Sequence, residues 1–403
     1  MEHPSRDAPP TAPSGAPPRT VAEDAPQVAW WKVFAGLLIA LFTTFTAFGA
    51  VVPVLPRLVV GEYGGSPLAV GALFTCTAVV ALLGRPYGGQ VAQRFGCRRV
   101  MAAGAGIAVV VGVLYTLPLG LSGLFAARLV MGVGEALLFT AGSVWTVHLA
   151  PEHRRGQVVG WYGLAMWSGL SAGPALGELL YRTGSYTAVW VATVALPVVA
   201  LLVLSRLPGD PDTGAAVSRR LLPPAAILPG LSLGAGAFGY AVLVGFGALA
   251  LADRGIPNGP VLLSVFSAAY VGVRLLAGRL PDRVGPVAVI TVSSVCEAVG
   301  LLLIGFGPSW WITALGALVA GGGFTLLYPS LALITIDRAP ESERGAALGA
   351  VSSFLDLSVG IAGLVGGAVA ELSYPATFAL AAVLVLGSLP LAPLAARGAR
   401  KGS

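Results

Sequence analysis

Two stretches decide the fold: Gly84–Gly96, GRPYGGQVAQRFG, and Val273–Gly285, VRLLAGRLPDRVG. With Gly89 set on Gly278, an offset of 189 residues, Arg85 falls on Arg274, Arg94 on Arg283 and Gly96 on Gly285. The same offset lays APEHRRG (Ala150–Gly156) on APESERG (Ala339–Gly345). It also pairs Gly132 and Gly134 with Gly321 and Gly323, and Gly177 with Gly366. One register held over so much chain marks an internal duplication.

The duplicated unit is apolar. Of 403 residues, 56% are hydrophobic and 10% charged, whereas a soluble domain carries about 25% charged residues. That composition excludes a water-soluble enzyme and a disordered chain. A net charge of +6, with basic residues scattered rather than striped, excludes a nucleic-acid partner. A bilayer crossing needs about 20 apolar residues. Twelve such runs follow Trp30: 32–56, 67–90, 99–119, 121–149, 157–180, 185–205, 225–252, 259–280, 286–307, 309–336, 346–370 and 374–395. They are helices, because lipid offers no partner to a free backbone amide.

The expected fold is therefore an all-α membrane protein with twelve transmembrane helices in two pseudo-twofold six-helix bundles. Residues 1–29, rich in Pro and Ala, read as a disordered tail. Residues 30–205 form the first bundle, 206–224 a linker, 225–395 the second bundle and 396–403 a short tail. Eighteen Lys and Arg residues fall on the tails and one set of loops, three (Arg57, Arg182 and Arg254) on the other. The excess marks the cytoplasmic face, so both termini are cytoplasmic and the chain sits in the inner or plasma membrane. Trp30, Trp31, Trp310 and Trp311 stand at span ends as interface anchors.

An ionisable side chain inside a span costs several kcal/mol unless paired or hydrated, so each is a functional candidate. Arg128 and Glu135 lie seven residues apart in the fourth run, on one helical stripe. Glu135 reads as a proton carrier with Arg128 as its partner, or as half of a structural pair. Asp356 sits near the middle of the eleventh run and falls on Trp167 at the 189-residue offset. It reads as a proton site or a contact for a cationic group of the substrate, with a hydrogen-bonded helix-packing carboxylate as the alternative. Glu297 reads as a structural partner for another helix or as a transport residue, and Glu178 and Glu371 read as solvated residues near span ends. The matched Arg85 and Arg274 suggest braces for a gate. Thr43 and Thr46 in the first run, with Trp167, Tyr240 and Tyr328, are candidates for the wall of a substrate cavity. The three cysteines form no CxxC, and His148 and His153 have no third ligand nearby, so no metal site is expected. No GxxxxGK[ST] loop occurs, no nucleophile–base constellation marks an enzyme, and no cofactor is expected beyond a proton gradient as the drive.

From residue 30 onward the chain resembles the major facilitator superfamily. That family carries G-x-L-A-D-R-x-G-R-R between its second and third helices. Here the stretch is Gly89-Gln90-Val91-Ala92-Gln93-Arg94-Phe95-Gly96-Cys97-Arg98-Arg99, with a second copy, Gly278-Arg279-Leu280-Pro281-Asp282-Arg283-Val284-Gly285. The resemblance implies that these residues latch a cytoplasmic gate. Gln93 stands where the family has an acid, while Asp282 keeps it, so the Asp282 side is expected to be the tighter latch. Gly169, Gly173, Pro174 and Gly177 match the G-x-x-x-G-P-x-x-G pattern of drug/proton antiporters in this superfamily, with Glu178 where the pattern has a further Gly. Ordinary close helix packing through small residues is the competing explanation. Arg128 with Gly132 and Gly134 resembles R-x-x-x-G-x-G, linked in the family to proton transfer.

The resemblance implies a monomeric proton-coupled exporter of a small amphipathic molecule, of drug, metallophore or sugar type, working by alternating access. A proton-coupled importer and a non-transporting membrane sensor or scaffold are the alternatives.

Overall fold

The computed structural model describes residues 30–151, 154–209, 223–340 and 344–399. The expected tail over 1–29, the linker residues 210–222, the loop residues Glu152 and His153, residues 341–343 of the APESERG loop, and residues 400–403 lie outside the described residues. Every regular element among the described residues is helical. Ten stretches are long and apolar enough to cross a membrane. One of them, Val158–Arg206, counts as two, because Gly184 and Ser185 leave helical geometry within it. A further apolar helix, Val261–Ala277, has 17 residues, at the short end of the range for a span. The total among the described residues is twelve crossings.

They are α1 (Trp30–Val51), α2 (Pro67–Phe95), α3 (Cys97–Thr116), α4 (Gly120–Leu149), α5 (155–183), α6 (186–206), α7 (Ile227–Asp253), α8 (Val261–Ala277), α9 (Pro286–Phe306), α10 (Trp310–Arg338), α11 (Arg344–Leu372) and α12 (Tyr374–Ala396). The α10 helix is interrupted at Thr325–Leu326. Six crossings return a chain to its starting side. The start of α1, the end of α6, the start of α7 and the end of α12 therefore share one face, called here the terminal side, opposite the distal side.

Lipid supplies little drive for apolar helices to associate, so contact depends on small residues that let backbones approach. A Cβ at Gly132 would strike the carbonyl of Thr77, and one at its repeat mate Gly321 would strike the carbonyl of Phe266, the mate of Thr77. Gly134 abuts Gly104, and Gly323 abuts Ser293, again mates at the same offset. Thus α4 packs on α2 and α3 as α10 packs on α8 and α9. Gly96 (φ +88°) and Gly285 (φ +97°) turn the chain identically ahead of α3 and α10's neighbour α9, in a conformation glycine adopts without the Cβ penalty. Two hydrophobic cores result, one drawn from residues 33–204 and the other from 226–395.

Contacts between the halves gather from mid-membrane to the distal side. Gly71 on α2 meets Gly363 on α11 backbone to backbone, and Gly367 lies against Leu68. Thr75 donates to the carbonyl of Gly360 at 2.7 Å. Leu249 packs against both cores. At the distal surface Arg182 on α5 donates to Oδ1 of Asn258, ahead of α8, at 3.3 Å. The distal side is closed.

Candidate functional site

Where the α2–α11 contact ends, three ionisable side chains converge from three helices. Arg85 on α2 faces Asp356 on α11: Nη2 donates to Oδ1 at 3.0 Å, and Nε lies 2.6 Å from Oδ2. The second approach is close but not aligned for a hydrogen bond, so the pair is an ion pair carrying one hydrogen bond. Glu135 on α4 stands with Oε1 3.9 Å from the same guanidinium. The Arg85 and Asp356 side chains are 15% and 7% exposed. Phe139, one turn beyond Glu135, lies under the guanidinium at 4.7 Å and holds its plane by cation–π attraction. Two carboxylates share one cation, so the trio has a net charge of −1 when both acids are ionised. A net charge in a low-dielectric interior is costly.

On the other side of the same locus the repeat is aromatic. Glu135 has Phe324 as its mate at offset 189, Asp356 has Trp167, and Phe139 has Tyr328. Trp167 on α5 stacks on Tyr270 of α8 at 5.0 Å and meets Tyr240 of α7 and Phe324 of α10 edge-on at 5.5 and 5.6 Å. Tyr240 and Phe324 are parallel, 5.5 Å apart. Trp167 thus crosses from the first half into an aromatic wall of the second, as Asp356 crosses the other way to Arg85. Arg274, the mate of Arg85, has no carboxylate in this wall and donates to the carbonyl of Thr325 at the α10 break, 3.2 Å away.

Several expected contacts give way to others in the structure. The Arg128–Glu135 pair does not form. Arg128 is buried, with its guanidinium 4.5 Å from the Phe74 ring, and it donates to the Leu73 carbonyl and to Met131 Sδ. Two helical turns are about 10 Å along the axis, too far for side chains that find partners on α2 first. Arg85, read as a brace, is the cation that Glu135 and Asp356 share. Glu178 is not solvated: it is 5% exposed and clamped by Arg57 at 2.9 Å and Arg182 at 2.7 Å. Glu297 packs against Gly236 and Gly239 of α7 and, among the described residues, makes no hydrogen bond.

Thr43 and Thr46 donate to carbonyls of their own helix, at Ile39 (2.9 Å) and Phe42 (2.7 Å). Thr46 lies where α1 packs on Gly169 of α5. Gly169, Gly173 and Gly177 all press on the α1 backbone, and Pro174 borders Gly49 in the same seam, which is the packing geometry offered as the competing explanation. Tyr328 accepts a 3.5 Å hydrogen bond from Ser352 of α11.

In the loop copies, Arg98 donates to the Leu207 carbonyl at 2.6 Å and closes the end of α6. Arg94 lies over Phe95 at 5.3 Å, and Gly89 faces Thr140 of α4. Gly278 ends α8 against the Arg274 carbonyl. Asp282 and Arg283 are exposed, and Asp282 makes no ion pair with another described residue. Gln93 is half-buried. Among the described residues no cluster of His, Cys, Asp and Glu could hold a metal. Tyr270, Phe266 and Phe324 join the wall without any motif of their own. The signal was available: Phe324 is the repeat mate of Glu135.

Known proteins agree with this architecture. The family model of the Major Facilitator Superfamily matches residues 37–257 and 248–402. An uncharacterized MFS-type transporter of Salmonella typhimurium is 30% identical over 361 residues, covering 86% of this chain and 92% of its own. The uncharacterized MFS-type transporter YhhS of Escherichia coli K12 is 29% identical over 364 residues, covering 87% and 89%. Among solved structures, the nucleoside transporter NupG superposes with a TM-score of 0.71 at 15% identity, over 89% of this chain and 98% of that one. The human organic anion transporter MFSD10 gives 0.69 at 17%, over 91% and 100%. The chain is a multi-pass membrane transporter, and it belongs to the major facilitator superfamily.

Proposed function

We propose that the chain is a proton-coupled exporter of the cell membrane, termini in the cytoplasm, that exchanges an entering proton for a small amphipathic molecule. The observation that carries this reading is the Arg85–Asp356 pair, which joins the two halves through a group that can take a proton. A charge-assisted hydrogen bond is about twice as strong as a neutral one. Protonation at Asp356 Oδ2 removes the charge, and Arg85 turns to Glu135, already 3.9 Å away. The link between α2 and α11 then weakens. A proton therefore binds more tightly to the distal-open conformation, the differential affinity that a conformational switch requires.

A cationic group on the cargo would compete for the same carboxylate from the terminal side. Either ligand releases Arg85, whereas the empty site keeps the halves linked and the distal side shut. Exchange rather than leak follows. The aromatic wall around Trp167 suits the apolar part of such a cargo. Rocking of one half against the other about a mid-membrane site is the general mode of transporters built from repeats.

The test uses inverted membrane vesicles, acid inside, holding a pH-sensitive dye and challenged with a panel of amphipathic compounds. At least one compound should accumulate with loss of internal protons, and Asp356→Asn should abolish the coupling. Accumulation that proceeds without proton movement would refute antiport, and accumulation only against the opposite gradient would identify an importer.

A further inference from the structure

Glu297 on α9 is 1% exposed, and neither carboxyl oxygen has a hydrogen-bond partner among the described residues. Its surroundings are bare. Oε2 lies against Gly236 and Oε1 against Gly239 of α7, with Leu301, Leu327, Phe324 and Val385 completing the contacts at those glycines. No charged or titratable group faces it from α7, α10 or α12 among the described residues. The titratable residues on those helices nearest it in sequence register, Tyr240 and Tyr328, are engaged with Phe324 and Ser352, and Arg338 donates to the Ala395 carbonyl.

The duplication shows that packing does not require a glutamate here. Its repeat mate is Ala108, and the mates of Gly236 and Gly239 are Ala47 and Ala50, all buried. Relative to the first half, the second lacks two methyl groups on α7 and carries a carboxyl on α9. Nearby in register, three further hydroxyls are buried without a hydrogen-bond partner among the described residues: Ser232, one turn before Gly236; Ser294, one turn before Glu297; and Thr325, at the break in α10. Residues three or four apart share a helix face, so Ser232 and Ser294 extend the seam toward the terminal side.

We propose that Glu297 is a second proton-binding site of the transporter, separate from the Arg85–Asp356–Glu135 trio and reached along Ser232, Ser294 and Thr325. An ionised carboxylate without a partner is too costly to bury, so the resting group is the neutral acid. Loss of its proton demands hydration of the α7–α9–α10 seam, where Gly236 touches both Glu297 and Phe324. Since Phe324 stacks on Tyr240 and abuts Trp167, the proton on Glu297 sets the shape of the aromatic wall. This site requires neither the direction nor the cargo proposed above.

Infrared difference spectra of the full chain in lipid vesicles, between acid and alkaline buffer, test it. The wild type should have a protonated-carboxyl C=O band that shifts in D2O, disappears in alkali, is absent from Glu297→Gln and persists in Asp356→Asn. A second variant, Glu297→Ala with Gly236→Ala and Gly239→Ala, restores the residues of the first half and should fold and lack the band. Two results would overturn the proposal: a carboxylate rather than an acid at Glu297 in neutral buffer, or an acid band indifferent to alkali and D2O.

Discussion

Gly71→Ala tests the closed distal side directly. A Cβ at this position overlaps the carbonyl of Gly363, a backbone atom on the facing helix that no side-chain rotation can move aside. The methyl fits only if α2 and α11 separate, and on the distal side that separation is the opening movement. Forcing extra atoms into a well-packed contact costs about 1–3 kcal/mol. If that penalty falls only on the distal-closed conformation, the population ratio shifts toward the distal-open one by roughly 5- to 150-fold. The assay is labelling by a membrane-impermeant maleimide added from the distal side. The reporter is Leu249→Cys, at a position packed against both cores, in a background with Cys76, Cys97 and Cys296 replaced. The labelling rate should rise by at least 5-fold in roughly that range. An unchanged or slower rate in a folded protein would refute the assignment of Gly71–Gly363 as the closing contact.

Other perturbations separate the parts of the site. Arg85→Gln leaves two acids without their cation, and removing one partner of a buried pair costs about 3–5 kcal/mol. Asp356→Asn leaves Arg85 beside Glu135 and should cost about 1–2 kcal/mol. The double variant should lose less than the sum, as coupled residues do, read from thermal unfolding in one detergent; strict additivity would mean the pair does not interact. Trp167→Ala removes the ring that spans the halves and should cost about 3 kcal/mol, near the low end for such truncations because the side chain is half-buried. Trp167→Phe should recover most of that stability and the binding of an aromatic dye followed by fluorescence. In the loop copies, Asp282→Asn should alter labelling of terminal-side cysteine probes more than Gln93→Ala does; equal effects would remove the asymmetry.

The architecture was legible because it rests on length, hydropathy and one repeat offset, each carried locally by the chain. The repeat glycines could be read as packing positions because the contacts they make recur at the same offset, as Gly134–Gly104 and Gly323–Ser293 do. The partners of Arg85 were not legible. Asp356 is 271 residues away, and spacing along one helix spoke instead for Arg128, which turns to α2. Glu178 was misread for a similar reason: its position near a span end suggested solvent, but Arg57 closes over it from the end of the first crossing. The aromatic wall was half-visible. Trp167 and Tyr240 stood out as large residues inside spans, while Tyr270 and Phe324 gained meaning only once α8 and α10 brought them onto Trp167.

The central claim is that a proton on Asp356 unlinks the two halves. It is tested most directly by the distance between spin labels at Tyr63→Cys and Leu372→Cys, exposed residues at the distal ends of the two halves, measured in acid and alkaline buffer. The wild type should lengthen in acid, and Asp356→Asn should hold the long, acid-form distribution even in alkali. A distribution for Asp356→Asn that coincides with the wild type in alkaline buffer would contradict the account.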